Sequence, residues 1–255
     1  MGILNVTPDS FSDGGRYNAV DAALTHAMQM VQDGADIIDI GGESTRPGHE
    51  AVGEQEELER VIPIIEAIHR HAPHIPISID TYKAKVAHEA LLAGAHIIND
   101  VWGFKYDSNM AKVAAEFRCP VVLMHNRKVH HYDNLMQDIT SDLLESVSIA
   151  LEAGVMAEQI ILDPGIGFAK NYDENLQVMN ALDQLVDLGY PMLLATSRKK
   201  FIRTALNVDV QDTIHGTAAT VALGIAQGCQ IVRVHDVPEI QQAVKMCDAI
   251  VYAKA

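Results

Sequence analysis

The chain has 255 residues, 48% of them hydrophobic and 21% charged, an ordinary globular balance for one large domain or two small ones. Its 34 acidic residues against 19 basic ones give a formal charge of −15, which disfavours partnership with nucleic acid or an anionic membrane. No apolar run reaches the ~18 residues of a membrane span. The three cysteines, Cys119, Cys229 and Cys247, form no CxxC pair, so they read as buried thiols in a reducing cytoplasm.

Short apolar runs alternate with amphipathic stretches along the chain. The first run, Ile3–Val6, leads into a long polar loop, Thr7–Tyr17, which is either functional or a surface connection. A helical pattern follows over Asn18–Asp33, with Val20, Leu24, Ala27, Met28 and Val31 on one face and Gly34 as its stop. The second run, Asp36–Gly41, opens onto GGESTRPGHEAVG, where Ser44, Thr45 and Arg46 suit phosphate or carboxylate. In the Glu54–Arg70 pattern, Pro63 is expected to kink the helix or start a second segment. The third run is Pro76–Asp80, followed by a helix over Lys83–Ala93 that stops at Gly94.

Runs at His96–Asp100 and Pro120–His125 come next. In the loop Asn126–Asn134, the adjacent His130 and His131 are poorly spaced for a metal and read as solvent-exposed. A helix is expected over Asp138–Ala153, closed by Gly154. The sixth run, Gln159–Asp163, enters DPGIGFAK, whose GxG is weak evidence taken alone. Runs at Pro191–Ser197 and Gln230–His235 precede a last helix with Asp236 as N-cap and Pro238 in its first turn.

The eight runs are rich in Ile, Val and Leu and lack polar alternation, as parallel strands buried on both faces should. Eight strand–helix alternations without a linker predict a single α/β domain over residues 1–255, a (β/α)8 TIM barrel. A doubly wound open sheet is the alternative. Every run ends on polar residues: Asn5, Asp39, Asp80, Asn99 with Asp100, His125 with Asn126, Asp163, Thr196 with Ser197, and Arg233 with His235. In a barrel these tips converge on one mouth, where barrel enzymes carry their chemistry. Asp100 and Asp236 read best as helix or turn caps, but capping requires no Arg, His or Asn at a strand tip.

These residues lie in stretches that resemble the dihydropteroate synthase family of pterin-binding TIM barrels. MGILNVTPDSFSDGG at Met1–Gly15 and DIIDIGGESTRPG at Asp36–Gly48 resemble its two longest signatures. SIDT, IINDV, VLMH, DPGIGFAK, TSRKKF, GTAAT and VRVHDV follow in the family's order and extend the likeness over nearly the whole chain. One departure is His215, which precedes GTAAT where an acidic residue is more usual.

The resemblance implies condensation of p-aminobenzoate with 6-hydroxymethyl-7,8-dihydropterin diphosphate, releasing diphosphate. A pterin presents adjacent N–H donors, which one buried carboxylate, Asp163, would accept. Asn99 and Lys199 would meet the remaining ring atoms, with Phe168 and Met124 as apolar walls. Arg233 and His235 would take the diphosphate, and Asn5 would be the protein ligand of Mg²⁺. Asp80 would stabilise a dihydropterin cation, making Asp80, Lys199 and Arg233 the expected catalytic set. A salt bridge across the barrel is the competing reading of Arg233. Phe11, Thr45, Arg46 and Pro47 would build the p-aminobenzoate pocket, with Asp13 ordering the first loop. The family also implies a homodimer through barrel helices and competition by sulfonamides. The rival functions are a corrinoid-linked methyltetrahydrofolate methyltransferase, a non-catalytic pterin-binding paralogue and an isomerase on the same barrel.

Overall fold

The computed structural model describes residues 1–6, 15–43 and 52–253. In chain order the elements are β1 (Gly2–Asn5), α1 (Gly15–Gln32), β2 (Ile38–Gly41), α2 (Glu54–His71), β3 (Ile77–Asp80), α3 (Ala84–Leu92), β4 (Ile97–Asp100), α4 (Met110–Phe117), β5 (Val121–Met124) and α5 (Leu135–Ala153). Then come β6 (Ile160–Asp163), α6 (Tyr172–Asn180), α7 (Leu182–Val186), β7 (Leu193–Leu194), α8 (Lys200–Leu206), α9 (Ile214–Ala226), β8 (Ile231–Val232) and α10 (Val237–Val251).

β1 to β6 pair in sequence order and every pair is parallel. β7 and β8 pair with each other. Two bridges close the ring: Leu162↔Met192 joins β6 to the β7 segment, and Gly2↔Val234 joins the β8 segment to β1. Across the second seam, Ile3 N donates to the Val234 carbonyl at 3.0 Å and Val234 N donates to the Met1 carbonyl at 3.0 Å. The result is a closed TIM barrel with no free sheet edge, which removes the doubly wound alternative.

β7 and β8 are shorter than the runs that predicted them. Beyond their regular ladders the polar tips bond through side chains, Thr196 to the Thr220 hydroxyl at 2.8 Å and Ser197 to His235 Nδ1 at 3.0 Å. α2 runs unbroken through Pro63, correcting the expectation of a second segment. An interior proline costs about 3 kcal/mol, and burial of Val61, Ile64, Ile65 and Ile68 on the same helix offsets it. α4 and α6 to α9 have no counterpart among the helical patterns read from the sequence. In α9, IHGTAATVALGIA is small or apolar on all sides, so no periodic face stands out.

Strand parity positions the site. Ile37, Ile97, Val122, Ile161, Leu193 and Ile231 belong to one apolar cluster, separate from the larger cluster that lies between strands and helices. Side chains alternate along a strand, so the residues two positions further on share the inward direction: Asp39, Asn99, Met124, Asp163, Ala195 and Arg233. The polar tips therefore cap a filled apolar barrel. Asp100 has the opposite parity. Its carboxylate accepts from Trp102 N at 2.8 Å and Phe104 N at 2.9 Å, the turn-capping role read from the sequence.

Candidate active site

Arg233 comes off β8 and reaches across the barrel. Its Nε donates to Asp39 Oδ2 at 2.6 Å and its Nη2 to Asp80 Oδ2 at 2.6 Å, so one guanidinium bridges the tips of β2 and β3. The cross-barrel salt bridge and the placement at the mouth are thus the same arrangement. Asn99, the register partner of Asp80, donates to Asp39 Oδ2 at 3.3 Å. Asp39 is fully buried, while the sequence marks it only as a polar strand end. Its apolar neighbour two residues earlier, Ile37, was the available signal that it points inward.

Burial pushes the Asp80 carboxyl up to about 7, against the pull of Arg233 and with the push of Asp39. Its Oδ1 is buried without a hydrogen-bond partner among the described residues. The Arg233 guanidinium is itself held charged: burial works against it, but Asp39 and Asp80 outweigh burial and raise its pKa.

A second cluster forms at β6 and β7. Asp163 stands beside Met124 in register, and its Oδ1 accepts from Gly165 N at 2.7 Å. Burial raises the Asp163 pKa while Lys199 lowers it. Lys199 bonds the Ile166 carbonyl, and its Nζ sits 4.7 Å from the centre of the Phe168 ring. Burial lowers its ammonium to about 8, countered by Asp163. Gly165 and Gly167 adopt φ of +67° and +84°. A Cβ at Gly165 would lie 2.0 Å from the His125 carbonyl oxygen, and one at Gly167 would lie 2.9 Å from Lys199 Cδ. Only glycine permits the turn that brings Asp163, Phe168 and Lys199 together.

His235 neighbours Ser197, whose Oγ accepts from His235 N at 3.1 Å. Asp236 occupies the N-cap position of α10 but makes no capping bond there. Its carboxylate instead pairs with Arg198, whose φ is +59°. His130 and His131 are exposed, paired with Glu174 and Asp133. Phe11, Thr45, Arg46, Pro47 and Asp13 lie outside the described residues. The described flanks of segment 44–51 meet at one ammonium: Lys83 Nζ bonds Glu43 Oε2, the Val52 carbonyl at 2.8 Å and Glu57 Oε2 at 2.5 Å.

Among the described residues, no group of three or more His, Cys, Asp or Glu is placed to hold a metal. Asn5 ends β1 in register with Gly41, half-buried, and its amide has no described partner. A single neutral oxygen donor suits Mg²⁺, which keeps most of its octahedron for phosphate and water.

The family profile described as "Pterin binding enzyme" matches residues 1–235. A dihydropteroate synthase of Bacillus subtilis (strain 168) is 62% identical over 250 residues, 98% of this chain and 87% of that protein. A crystal structure of dihydropteroate synthase from Clostridium difficile in the presence of pteroic acid superposes with a TM-score of 0.96 at 52% identity, covering 100% of this chain and 96% of that one. The Xanthomonas albilineans dihydropteroate synthase with 4-aminobenzoic acid gives a TM-score of 0.95 at 40% identity, covering 100% and 93%. With a closed barrel, a buried carboxylate and lysine at its mouth, and matches of this extent, the chain belongs to the pterin-binding enzyme family.

Proposed function

We propose that this chain carries out the dihydropteroate synthase reaction. The arylamine nitrogen of p-aminobenzoate attacks the exocyclic methylene of 6-hydroxymethyl-7,8-dihydropterin diphosphate. A C–N bond forms, the C–O bond to diphosphate breaks, and the amine proton passes to water. The observation that carries this reading is the placement of Asp163, Lys199 and Asn99 at the same barrel mouth as the Arg233–Asp80 pair.

Asp163 accepts the pterin's adjacent N–H donors, and burial makes the match selective because a ring without them strands a buried charge. Lys199 and Asn99 meet the ring's other polar atoms, while Met124 and Phe168 line its faces. Arg233 is committed to two carboxylates through Nε and Nη2, leaving its other N–H donors for the diphosphate. With Asp39 and Asp80 both ionised, that trio carries net negative charge. Further positive charge is therefore needed for the leaving group, and His235 is assigned to it. Mg²⁺ held by Asn5 supplies, when bound, the remaining neutralisation of the departing diphosphate. Asp80 stabilises the positive charge that builds on the dihydropterin as the C–O bond lengthens. Phe11, Thr45, Arg46 and Pro47 shape the p-aminobenzoate pocket, for which sulfonamides compete.

The assignment extends to a cytoplasmic homodimer. Cys119, Cys229 and Cys247 are all unpaired, which suits a reducing compartment, and among the described residues no helix is long and apolar enough to cross a membrane. Leu223 on α9 and Met246, Ile250 and Tyr252 toward the end of α10 are exposed apolar side chains on helices that pack together, suited to a second copy.

Purified protein given the pterin diphosphate, Mg²⁺ and labelled p-aminobenzoate is expected to form labelled dihydropteroate, with turnover lost in excess chelator and inhibited competitively by a sulfonamide. Failure to form the product under these conditions would overturn the assignment. Full turnover in chelator would remove Mg²⁺ and Asn5 from it.

A further inference from the structure

Behind the Asp163 turn lies a partly buried chain of polar groups that the reaction as described leaves unused. Lys170, which follows the turn, folds back beneath it. Its Nζ lies 2.9 Å from His125 Nδ1, 3.0 Å from the Gly165 carbonyl and 3.2 Å from the Phe168 carbonyl. An ammonium only donates, so His125 Nδ1 must accept and its proton resides on Nε2. That nitrogen is 3.0 Å from Oδ2 of Asp142 on α5. Burial lowers the imidazole to about 4, which keeps it neutral and able to accept at Nδ1. Three donors thus meet three acceptors, and the lysine's hydrogen-bonding capacity is filled by the chain itself.

What this chain holds is the turn over which the pterin would lie. The Gly165 carbonyl held by Lys170 also accepts from Phe168 N at 3.0 Å, and Gly165 N orients the Asp163 carboxylate. Ala169, between Phe168 and Lys170, takes φ of +45°, and its carbonyl accepts from Tyr132 at 2.7 Å. A left-handed alanine costs on the order of 1 kcal/mol, so the surrounding bonds must impose it.

We infer that Lys170, seated by His125 and Asp142, is a positioning residue for the pterin pocket: it fixes the Gly165–Phe168 turn and through it the aim of Asp163 and the place of Phe168. The inference rests on the reaction assigned above and adds a specificity element to it. Burial lowers the Lys170 ammonium to about 7, with Asp163 opposing the fall.

The test is a split between the two substrates. Lys170→Met and His125→Leu are each expected to raise the KM for the pterin diphosphate roughly ten-fold, measured at saturating p-aminobenzoate. The KM for p-aminobenzoate at saturating pterin should stay within about two-fold. The double variant should be no worse than the worse single one, because both break the same linkage. His125→Asn places an amide oxygen where Nδ1 accepted, and is expected to restore the pterin KM; it also serves if Lys170→Met does not fold. An unchanged pterin KM in the folded variants, equal rises for both substrates, or additive losses in the double variant would overturn the inference. Wild-type protein that makes no dihydropteroate would instead overturn the assignment beneath it.

Discussion

Arg233 is held by two acidic partners and sits where it can also meet a substrate anion. Removing its guanidinium leaves the Asp39 and Asp80 carboxylates buried without their counter-charge. Breaking a buried pair in this way costs about 3–5 kcal/mol, so Arg233→Met should lower the urea midpoint markedly as well as abolish turnover. A loss below about 1 kcal/mol would mean that the bridge is a solvent-screened contact. Asp80 has a separate test. Asp80→Asn is expected to keep pterin-diphosphate binding and lose kcat by two or more orders of magnitude, roughly the scale of a single electrostatic stabiliser; near-normal kcat would reject its role. Asp80 acts ionised, and its carboxyl stands near 7, so kcat/KM should fall as pH drops below about 7. Lys199 acts protonated and stands near 8, so kcat/KM should also fall above about 8. A flat profile from pH 6 to 9 would contradict both.

The turn after β6 decides much of the pocket because its backbone is committed on several sides. The carbonyls of Gly165, Ile166, Phe168 and Ala169 are held by Lys170, Lys199, Lys170 and Tyr132 in turn. Gly165→Ala must move either this turn or the end of β5, since its Cβ would collide with the His125 carbonyl. A loss of roughly 2 kcal/mol or more in stability is expected, with weakened pterin binding by calorimetry. Wild-type binding in that variant would show that the turn relaxes freely. The DPGIGFAK stretch was visible as a motif, but its GxG pattern could not reveal which carbonyls its own lysine would hold. Asp142 had no signal at all, being one polar residue on an amphipathic helix until the fold brings it to His125.

The closed barrel gathers groups separated by 194 residues into contact, as Asp39 and Arg233 show. The same closure leaves helices on the outside, where Leu223 of α9 and Met246 and Ile250 of α10 are exposed. Replacing Leu223 and Ile250 together by Glu should convert the proposed dimer to a monomer in light scattering. A wild-type monomer, or an unchanged dimer in the double variant, would rule out this face as the interface.

The sequence alone determined the eight-strand order, the polar tips and the family, because apolar runs, their spacing and long signatures are local properties of the chain. Asp80, Asn99, Asp163 and Arg233 could be singled out from it as polar ends of apolar runs that also lie in family motifs, and Lys199 from its motif alone. Only the tertiary structure decided that Arg233 bridges Asp39 and Asp80 and that Lys170 and His125 are joined to Asp142. Those pairings depend on barrel closure and on which side chains share one small, dry volume. Such proximity is set by packing in three dimensions, and no periodicity along a single strand or helix encodes it.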